Sequence, residues 1–330
     1  MVTLQQIADA TGVSRSTVSK ALRNSTDINA ETAQKIRETA ISLGYDADRL
    51  RGDAPEKKTI GIVFPELRSL YYNKIYDFFC EEMSAAGYRC IAMLYNFDGE
   101  DRQLDDIEFL LRQNVAGILY LTENEVDEER LRTLFRLTQT KLVMITIRTD
   151  VGFCDTISNN HALGVKSAVE YLHSLGHERI AFIGERHTRL RCSEFISSMQ
   201  RLGIEVPRDY IVELSERFED CGYAGMKKLL ALPQLPTAVF TAYDNIAYGA
   251  MRAVREAGLR IPEDISVVGV DDNRISRFTT PALTSINSPE SEIGRTAAQF
   301  MKDRISGSRK PFRNVLICPS LKIRESVSEK

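Results

Sequence analysis

The chain has 330 residues, of which 43% are apolar and 27% charged, and its net charge is −3. At roughly 150 residues per domain, this length predicts two or three domains with a substantial core, and the composition excludes wholesale disorder. The slight acidic surplus, taken alone, argues against a nucleic-acid-binding protein, because such domains usually carry a basic surplus.

The cysteines and the N-terminal residues indicate the cellular compartment in which we expect the protein. The six cysteines are scattered and include no C-x-x-C pair, so they form neither a zinc signature nor a disulfide framework and fit a reducing compartment. The N-terminus lacks the charged start and apolar run of a signal peptide, and no apolar stretch approaches the ~20 residues that span a bilayer. We therefore expect a cytoplasmic protein with no cofactor, no metal and no membrane contact.

The first fifty residues predict three short helices, each preceded by a residue suited to cap it. These are Thr3 for a helix that ends at Gly12, Ser14 for residues 15–22, and Asn29 for residues 30–43. A tight turn, Thr11-Gly12-Val13, joins the first two helices. Three short helices with such a turn predict a helix-turn-helix.

Beyond a charged segment at residues 46–58, apolar runs alternate with amphipathic helices. The predicted strands are 59–64, 89–95, 117–121, 142–147, 180–184, 238–241 and 266–270, and the clearest helices are 73–86, 101–114, 162–175 and 246–257. We expect these strands to be buried on both faces, as in a parallel sheet covered by helices. The alternation predicts right-handed βαβ units, and its length favours two doubly wound α/β lobes over one wide sheet.

The second helix has a polar face that is suited to DNA. Arg15 and Ser16 lie at its start, where free amides favour a phosphate and side chains can read base edges in the major groove. Residues 1–52 carry seven basic and six acidic side chains, whereas the rest of the chain has a charge of −4. A solvated helix face is the alternative for any single residue, but the turn, the caps and the polar face together favour DNA binding.

No catalytic motif is present: the sequence contains no G-x-S-x-G, H-E-x-x-H, Walker A or G-x-G-x-x-G pattern. His173 and His177 are four residues apart, but Gly176 intervenes, which favours a capped turn over a metal site. The pair Asp271-Asp272 follows a predicted strand and is explained by ligand binding without acid–base chemistry. We therefore do not expect an enzyme.

The sequence resembles the lactose/galactose repressor (LacI/GalR) family over essentially its whole length. The segments that carry the resemblance are TLQQIADATGVSRSTVSKALRN, INAETAQKIRETAISLGY, YLHSLGHERIAFIG, PTAVFTAYDNIAYGAMRAVREAGLRIPEDISVVGVDD and PALTSINSPESEIG. The resemblance implies a homodimeric repressor on a periplasmic-binding-protein-like core, whose two heads bind a pseudopalindromic operator. It also implies a small-molecule effector between the lobes and a helix after the first strand, 73–86, near the dimer interface.

The expected domains are a helix-turn-helix head at 1–46, a hinge at 47–58 and a core at 59–330. Within the core we expect an N-lobe of about 59–158 and 288–311 and a C-lobe of about 159–287 and 312–330. The predicted DNA-binding residues are Thr3, Ser14, Arg15, Ser16, Thr17, Ser19, Lys20, Asn24 and Leu50. The hinge departs from the family pattern, because Leu50 follows Tyr45 by five residues rather than about nine, which puts its insertion into the minor groove in doubt.

The positions that match the family's effector pocket carry few of the amide side chains that would hydrogen-bond to sugar hydroxyls. The predicted effector-binding residues are Ser69, Tyr71, Tyr72, Arg148, Arg191, Tyr243, Asp244, Asp271 and Ser288. Two arginines near the basic run Arg186, His187, Arg189 favour an anionic ligand such as a sugar acid or phosphoester over a neutral hexose. The alternatives are that Arg186 and Arg189 are solvated loop residues and that the pocket is merely atypical.

Two classes of function compete on this sequence. The first is a ligand-responsive DNA-binding repressor, in which effector binding changes the angle between the lobes and the spacing of the heads. The second is a stand-alone small-molecule binding protein of periplasmic type, which would need a signal peptide and would lack the head. The first fifty residues favour the repressor.

Overall fold

The computed structural model describes residues 2–22, 25, 27–45, 58–95, 102–123, 127–136, 138–147 and 151–330. The chain divides into two compact units. Unit 1 contains Met1–Ser158 and Glu290–Leu316, and unit 2 contains Asn159–Pro289 and Ile317–Lys330. The predicted fold class, an all-α head followed by an α/β core with two sheets, is confirmed.

The head consists of α1 (Leu4–Thr11), α2 (Arg15–Leu22) and α3 (Ala30–Ser42). All three predicted caps are confirmed, because the side chains of Thr3, Ser14 and Asn29 accept hydrogen bonds from backbone amides of the helix that each precedes. Gly12 ends α1 with a φ of 72°, a conformation that favours glycine.

One face of each head helix is apolar, and these faces share a small core. Its buried members are Ile7, Ala8, Val18, Ala21, Leu22, Ala33, Ile36, Ala40 and Tyr45. Because α2 contributes Val18, Ala21 and Leu22 to this core, its opposite face is left to solvent. The local packing thus fixes which α2 residues are available to a partner.

The described core contains eight further helices and twelve strands. The helices are α4 (Leu70–Ala85), α5 (Arg102–Arg112), α6 (Glu128–Arg136), α7 (His161–Ser174), α8 (Arg189–Arg201), α9 (Phe218–Leu230), α10 (Asp244–Glu256) and α11 (Glu290–Ile305). The strands are β1 (Thr59–Phe64), β2 (Arg89–Leu94), β3 (Gly117–Thr122), β4 (Lys141–Thr146), β5 (Asp155–Asn159), β6 (Ile180–Glu185), β7 (Ile211–Leu214), β8 (Ala238–Thr241), β9 (Ser266–Val270), β10 (Thr284–Asn287), β11 (Asn314–Ile317) and β12 (Ser320–Lys322).

Both sheets are doubly wound. The first has the order β11-β5-β4-β3-β1-β2, and the second has the order β12-β10-β9-β8-β6-β7. Neighbours from β1 to β5 and from β6 to β10 pair in parallel, and β10 pairs with β12 antiparallel. The strand order reverses between β1 and β3 in one sheet and between β6 and β8 in the other. Ligands of doubly wound sheets bind at the carboxyl ends of the strands beside such reversals.

Helices α9 and α10 of unit 2 pack closely through two glycines. A Cβ atom at Gly222 would collide with the backbone carbonyl of Ile246, and one at Gly249 would collide with that of Glu219. Any larger residue would therefore force the helices apart. Since the two helices begin at Phe218 and Asp244, this contact sets the positions of the residues at their N-termini.

The structure extends and partly corrects the predicted elements. All seven predicted strands are present, and the glycines that follow the ends of four helices, Gly87, Gly176, Gly203 and Gly258, have positive φ angles of 74° to 87°. The sequence pattern did not reveal β5, β7, β10, β11 or β12, which have only three to five residues each. The expectation that the strand at 89–95 is buried on both faces is wrong. This strand, β2, lies at the edge of its sheet, and four of its six residues are exposed.

Candidate functional site

The start of α2 is held by a group of hydroxyls. The Ser14 Oγ accepts a hydrogen bond from the Thr17 amide at 3.1 Å. The same oxygen lies 2.7 Å from the Ser16 hydroxyl and 2.8 Å from the Thr17 hydroxyl. These contacts fix the first turn of the helix, where amide groups and the positive end of the helix dipole face outward.

The predicted DNA-binding residues of the head lie on accessible surface. Arg15, Ser16 and Lys20 are exposed and Thr17 and Ser19 are half-buried, opposite the buried face of α2. Ser14 is also exposed, as is Thr3, whose hydroxyl and backbone amide form the capping box with Gln6 at the start of α1. Each of these residues is therefore at least partly accessible to solvent, and Arg15 is the first residue of α2.

Lys20 forms an ion pair that sequence reasoning missed. Its Nζ lies 3.1 Å from Oδ2 of Asp27, and the two side chains are 49% and 63% exposed. A pair this exposed contributes at most about 1 kcal/mol. The pair is therefore weak enough to break when a phosphate competes for Lys20.

Three predicted site residues, Asn24, Leu50 and Arg148, lie outside the described residues, as does the segment 46–57 that contains most of the predicted hinge. Their assigned roles remain predictions.

In unit 1, the predicted aromatic pair lies at the beginning of α4, just beyond the carboxyl end of β1. Tyr71 and Tyr72 are buried, and their rings meet edge to face with centroids 5.3 Å apart. Ser69 is the N-cap residue of α4, although its side chain makes no capping hydrogen bond. The Tyr72 hydroxyl donates to Oε1 of Glu123 at 2.9 Å, and burial raises the pKa of Tyr72. Glu123, which follows β3, was not predicted.

In unit 2, Tyr243 belongs to a polar cluster at the carboxyl ends of β6 and β8. Its hydroxyl donates to Oε1 of Glu185 at 2.8 Å and accepts from the Phe218 amide at 3.1 Å. The Glu185 carboxylate also accepts a bifurcated hydrogen bond from Nε of Arg217, at 2.9 Å to Oε2 and 3.1 Å to Oε1. Glu185 is buried, so its charge is balanced by Arg217 within the cluster. Neither Glu185 nor Arg217 was predicted.

Asp244 is fully buried and its carboxylate is saturated. Its Oδ1 accepts from the Ser285 hydroxyl at 2.6 Å, and its Oδ2 accepts from the Ser276 hydroxyl at 2.6 Å and the Asn273 amide at 2.7 Å. Burial, together with the charge of Asp271, raises the pKa of Asp244 to about 7 against these stabilising hydrogen bonds. This position favours a structural role, in which Asp244 ties α10 to the segments that follow β9 and form β10.

Asp271 and Ser288, both predicted, are in contact. The Ser288 hydroxyl donates to Oδ1 of Asp271 at 3.0 Å, and Nδ2 of Asn159 lies 3.5 Å from the same hydroxyl. Asp271 directly follows β9 and has a φ of 98°, a strained conformation for a residue with a Cβ atom. The strained turn and the Ser288 bond hold the Asp271 carboxyl at the end of the strand.

Arg191 supplies positive charge near the start of α8. Its Nη1 donates to the Ala242 carbonyl at 3.3 Å, beside Tyr243. Burial, assisted by the Arg191 charge, lowers the pKa of His161 to about 3, so this imidazole is neutral at physiological pH. His161, the first residue of α7, was not predicted. Arg191 and His161 thus place a cation and a neutral hydrogen-bonding ring close together in unit 2.

The described residues contain no group of three or more His, Cys, Asp or Glu side chains arranged to hold a metal ion. Within the same residues, no helix combines the length and the apolar character that a bilayer crossing requires.

Comparisons with known proteins identify the family. The model described as bacterial regulatory proteins, lacI family, matches residues 3–48, and that of a periplasmic binding protein-like domain matches residues 169–327. The HTH-type transcriptional repressor PurR of Pasteurella multocida is 30% identical over 336 residues, covering all of both chains. Two solved structures are 25% identical: the lac repressor dimer bound to operator and the anti-inducer ONPF (TM-score 0.74, 99% of each chain) and a complex of the regulator CelR with cellobiose (TM-score 0.70, 99% of this chain and 100% of that one). The chain therefore belongs to the lacI family of bacterial regulatory proteins.

Proposed function

We propose that this DNA-binding transcriptional repressor acts as a homodimer on a pseudopalindromic operator and is controlled by a small carbohydrate-like effector. The observation that carries the DNA-binding part is the Ser14-capped start of α2, with Arg15 and Ser16 exposed beside it. The head 1–46, the hinge 47–58 and the core 59–330 are the proposed functional divisions. The protein acts in the cytoplasm by binding and catalyses no reaction.

The effector part of the proposal rests on the carboxyl-end residues of unit 2. Asp271 and Ser288 present a carboxylate and a hydroxyl that suit the hydroxyl groups of a carbohydrate. Arg191 and His161 supply a cation and an imidazole that suit an acidic group. A sugar acid or a sugar phosphate combines both features, whereas the CelR complex holds the neutral sugar cellobiose.

The DNA-binding part is tested by selecting operator sequences from a random library with the full chain. The expected result is a pseudopalindrome with two half-sites, because each head of a dimer reads one major groove. Recovery of sequences without a shared motif would contradict sequence-specific repression and would favour a stand-alone binding protein.

The effector part is tested by thermal shift with neutral sugars, the matching sugar acids and the matching sugar phosphates. A ligand at 100 times its Kd stabilises the folded state by about 2.7 kcal/mol, which raises the Tm measurably. We expect the anionic ligands to act and Arg191→Met to abolish their effect, whereas Arg201→Met, an exposed arginine at the other end of α8, retains it. Stabilisation by neutral hexoses alone would overturn the anionic effector.

A further inference from the structure

The cysteines contain a pair that the repressor function does not use. Cys80 lies in α4 and Cys90 in β2, and both are half-buried free thiols. The Cys90 thiol and the Tyr76 hydroxyl both lie near enough to the Cys80 sulfur to influence its pKa. Two neighbouring thiols beside a phenol form a cluster whose chemistry differs from that of an isolated core cysteine.

Strand register independently places the two cysteines on facing surfaces. Cys90 is registered opposite Ile60 in the parallel neighbour β1, so both side chains point to the same face of the sheet, which is also the face of Phe64. The Phe64 ring stacks on Tyr76 of α4 with centroids 5.6 Å apart, which shows that α4 covers this face. Cys80 follows Tyr76 by four residues and therefore lies on the same side of the helix.

The two thiols differ in reactivity. The hydrogen bond from Cys90 lowers the pKa of Cys80, and the bond from Tyr76 acts in the same direction, against burial and the nearby charge of Asp77. The hydrogen bond to Cys80, together with burial, raises the pKa of Cys90. These shifts favour Cys80 as the attacking thiolate and Cys90 as the thiol that resolves its sulfenic acid.

We propose that Cys80 and Cys90 are a peroxide-sensitive dithiol that closes a reversible disulfide between α4 and β2. The Cys80 thiolate attacks one oxygen of a peroxide, the O–O bond breaks and Cys80 becomes a sulfenic acid. The Cys90 sulfur then attacks the Cys80 sulfur, the S–O bond breaks and water leaves. In sum, two thiols and one hydrogen peroxide give one disulfide and two waters, and a dithiol reductant reverses the change.

The test treats the full chain with hydrogen peroxide, blocks the remaining thiols and digests it with trypsin without reduction. Cleavage after Lys74, Arg89 and Arg102 separates the cysteines into peptides 75–89 and 90–102. We expect these peptides to be recovered linked, with two fewer titratable thiols per chain, and to separate after dithiothreitol. The Cys318→Ser variant, which removes the exposed cysteine, serves as the matched control and should give the same linked pair.

Single variants distinguish a functional pair from incidental oxidation. In Cys90→Ser, Cys80 should accumulate as a sulfenic acid that a dimedone probe traps, because its resolving partner is gone. In Cys80→Ser, Cys90 should remain a thiol at the same peroxide concentration. Recovery of peptides 75–89 and 90–102 unlinked and alkylated, or linkage only between separate isotope-labelled chains, would overturn the proposal.

Discussion

Asp155 and Arg304 form a buried, bidentate ion pair in unit 1. The Arg304 Nε lies 2.6 Å from Oδ2 of Asp155, and its Nη2 lies 2.9 Å from Oδ1. Arg313 adds hydrogen bonds to the same carboxylate from its amide at 2.8 Å and its guanidinium at 3.2 Å. The pair connects β5 to the end of α11, two segments that are 149 residues apart in sequence.

The first prediction concerns the stability that this pair provides. Asp155→Asn leaves the Arg304 charge buried without its carboxylate, and we expect the free energy of unfolding to fall by about 3–5 kcal/mol. Urea denaturation followed by circular dichroism measures the loss. Asp303→Asn, which weakens the partly exposed contacts of that carboxylate with Arg313 and Gln299, both at 2.7 Å, is the control and should cost less than about 1 kcal/mol. An equal fall in the free energy of unfolding in the two variants would show that burial of the Asp155 pair does not increase its contribution to stability.

A second prediction concerns pH and Asp244. Because the folded pKa of Asp244 is raised to about 7, the folded protein binds more protons than the unfolded chain between about pH 4 and pH 7. The contribution of Asp244 to stability therefore declines as pH rises through this window and is constant above it. Asp244→Asn should remove this contribution, so that stability falls less, or rises more, between pH 5 and pH 7.5 than in the wild type. His161, whose pKa is lowered to about 3, gives an opposing rise over part of this range in both chains.

The comparison for Asp244 uses urea midpoints at pH 5 and pH 7.5 for three chains: wild type, Asp244→Asn and Asp264→Asn. Asp264 is a partly exposed carboxyl paired with Arg260, and its pKa is lowered by hydrogen bonds from that arginine. Asp264→Asn should show the same change in midpoint between the two pH values as the wild type. An equal change in the wild type and in Asp244→Asn would show that Asp244 makes no such contribution.

The third prediction tests base reading by Arg15. Because Arg15 is exposed at the N-terminus of α2, Arg15→Ala should relax the preference at one operator base pair and cost about 1–3 kcal/mol of binding free energy. Fluorescence anisotropy with the selected operator and its single-base variants measures both effects. An unchanged ranking of those variants would show that Arg15 contacts no base.

The fourth prediction uses the ion pair between Lys20 and Asp27. Lys20→Ala should weaken operator binding and lower the salt dependence by about one phosphate contact. Asp27→Asn should strengthen binding, since it removes both an acidic group and the competitor for Lys20.

A double-mutant cycle separates these two effects of Asp27. Asp27→Asn made in the Lys20→Ala background should raise affinity less than it does in the wild-type chain. An equal rise in both backgrounds would assign the effect to general repulsion between Asp27 and DNA rather than to competition for Lys20.

Local interactions explain why the head could be predicted closely. Ser14 reaches the Thr17 amide, and Thr3 reaches Gln6, across only three residues, so the sequence pattern contains both partners of each cap. The α2 boundaries, Arg15–Leu22, agree with the prediction for the same reason. The apolar strands β1, β3 and β4 could be predicted equally well, because their composition alone indicates burial.

Contacts between residues far apart in the chain could not be predicted from local sequence patterns. Tyr243 and Glu185 are 58 residues apart, and Glu185 in turn depends on Arg217, which no motif marks. The family pattern placed Asp244 in the effector pocket, but its burial among Ser276 and Ser285 favours a structural role. Hydrogen-bond saturation depends on which side chains the fold brings together, and spacing along the chain does not record it.

The α/β class, the capped helix-turn-helix and the family could all be predicted from the sequence, because they depend on short-range periodicity and on motifs in a fixed order. Which charges are balanced, as in Asp155 with Arg304, and which thiols share one face of a sheet, as Cys80 and Cys90 do, depended on how distant segments pack. The physical reason is that burial and proximity set the pKa and reactivity of a side chain, and both arise only when distant strands and helices pack.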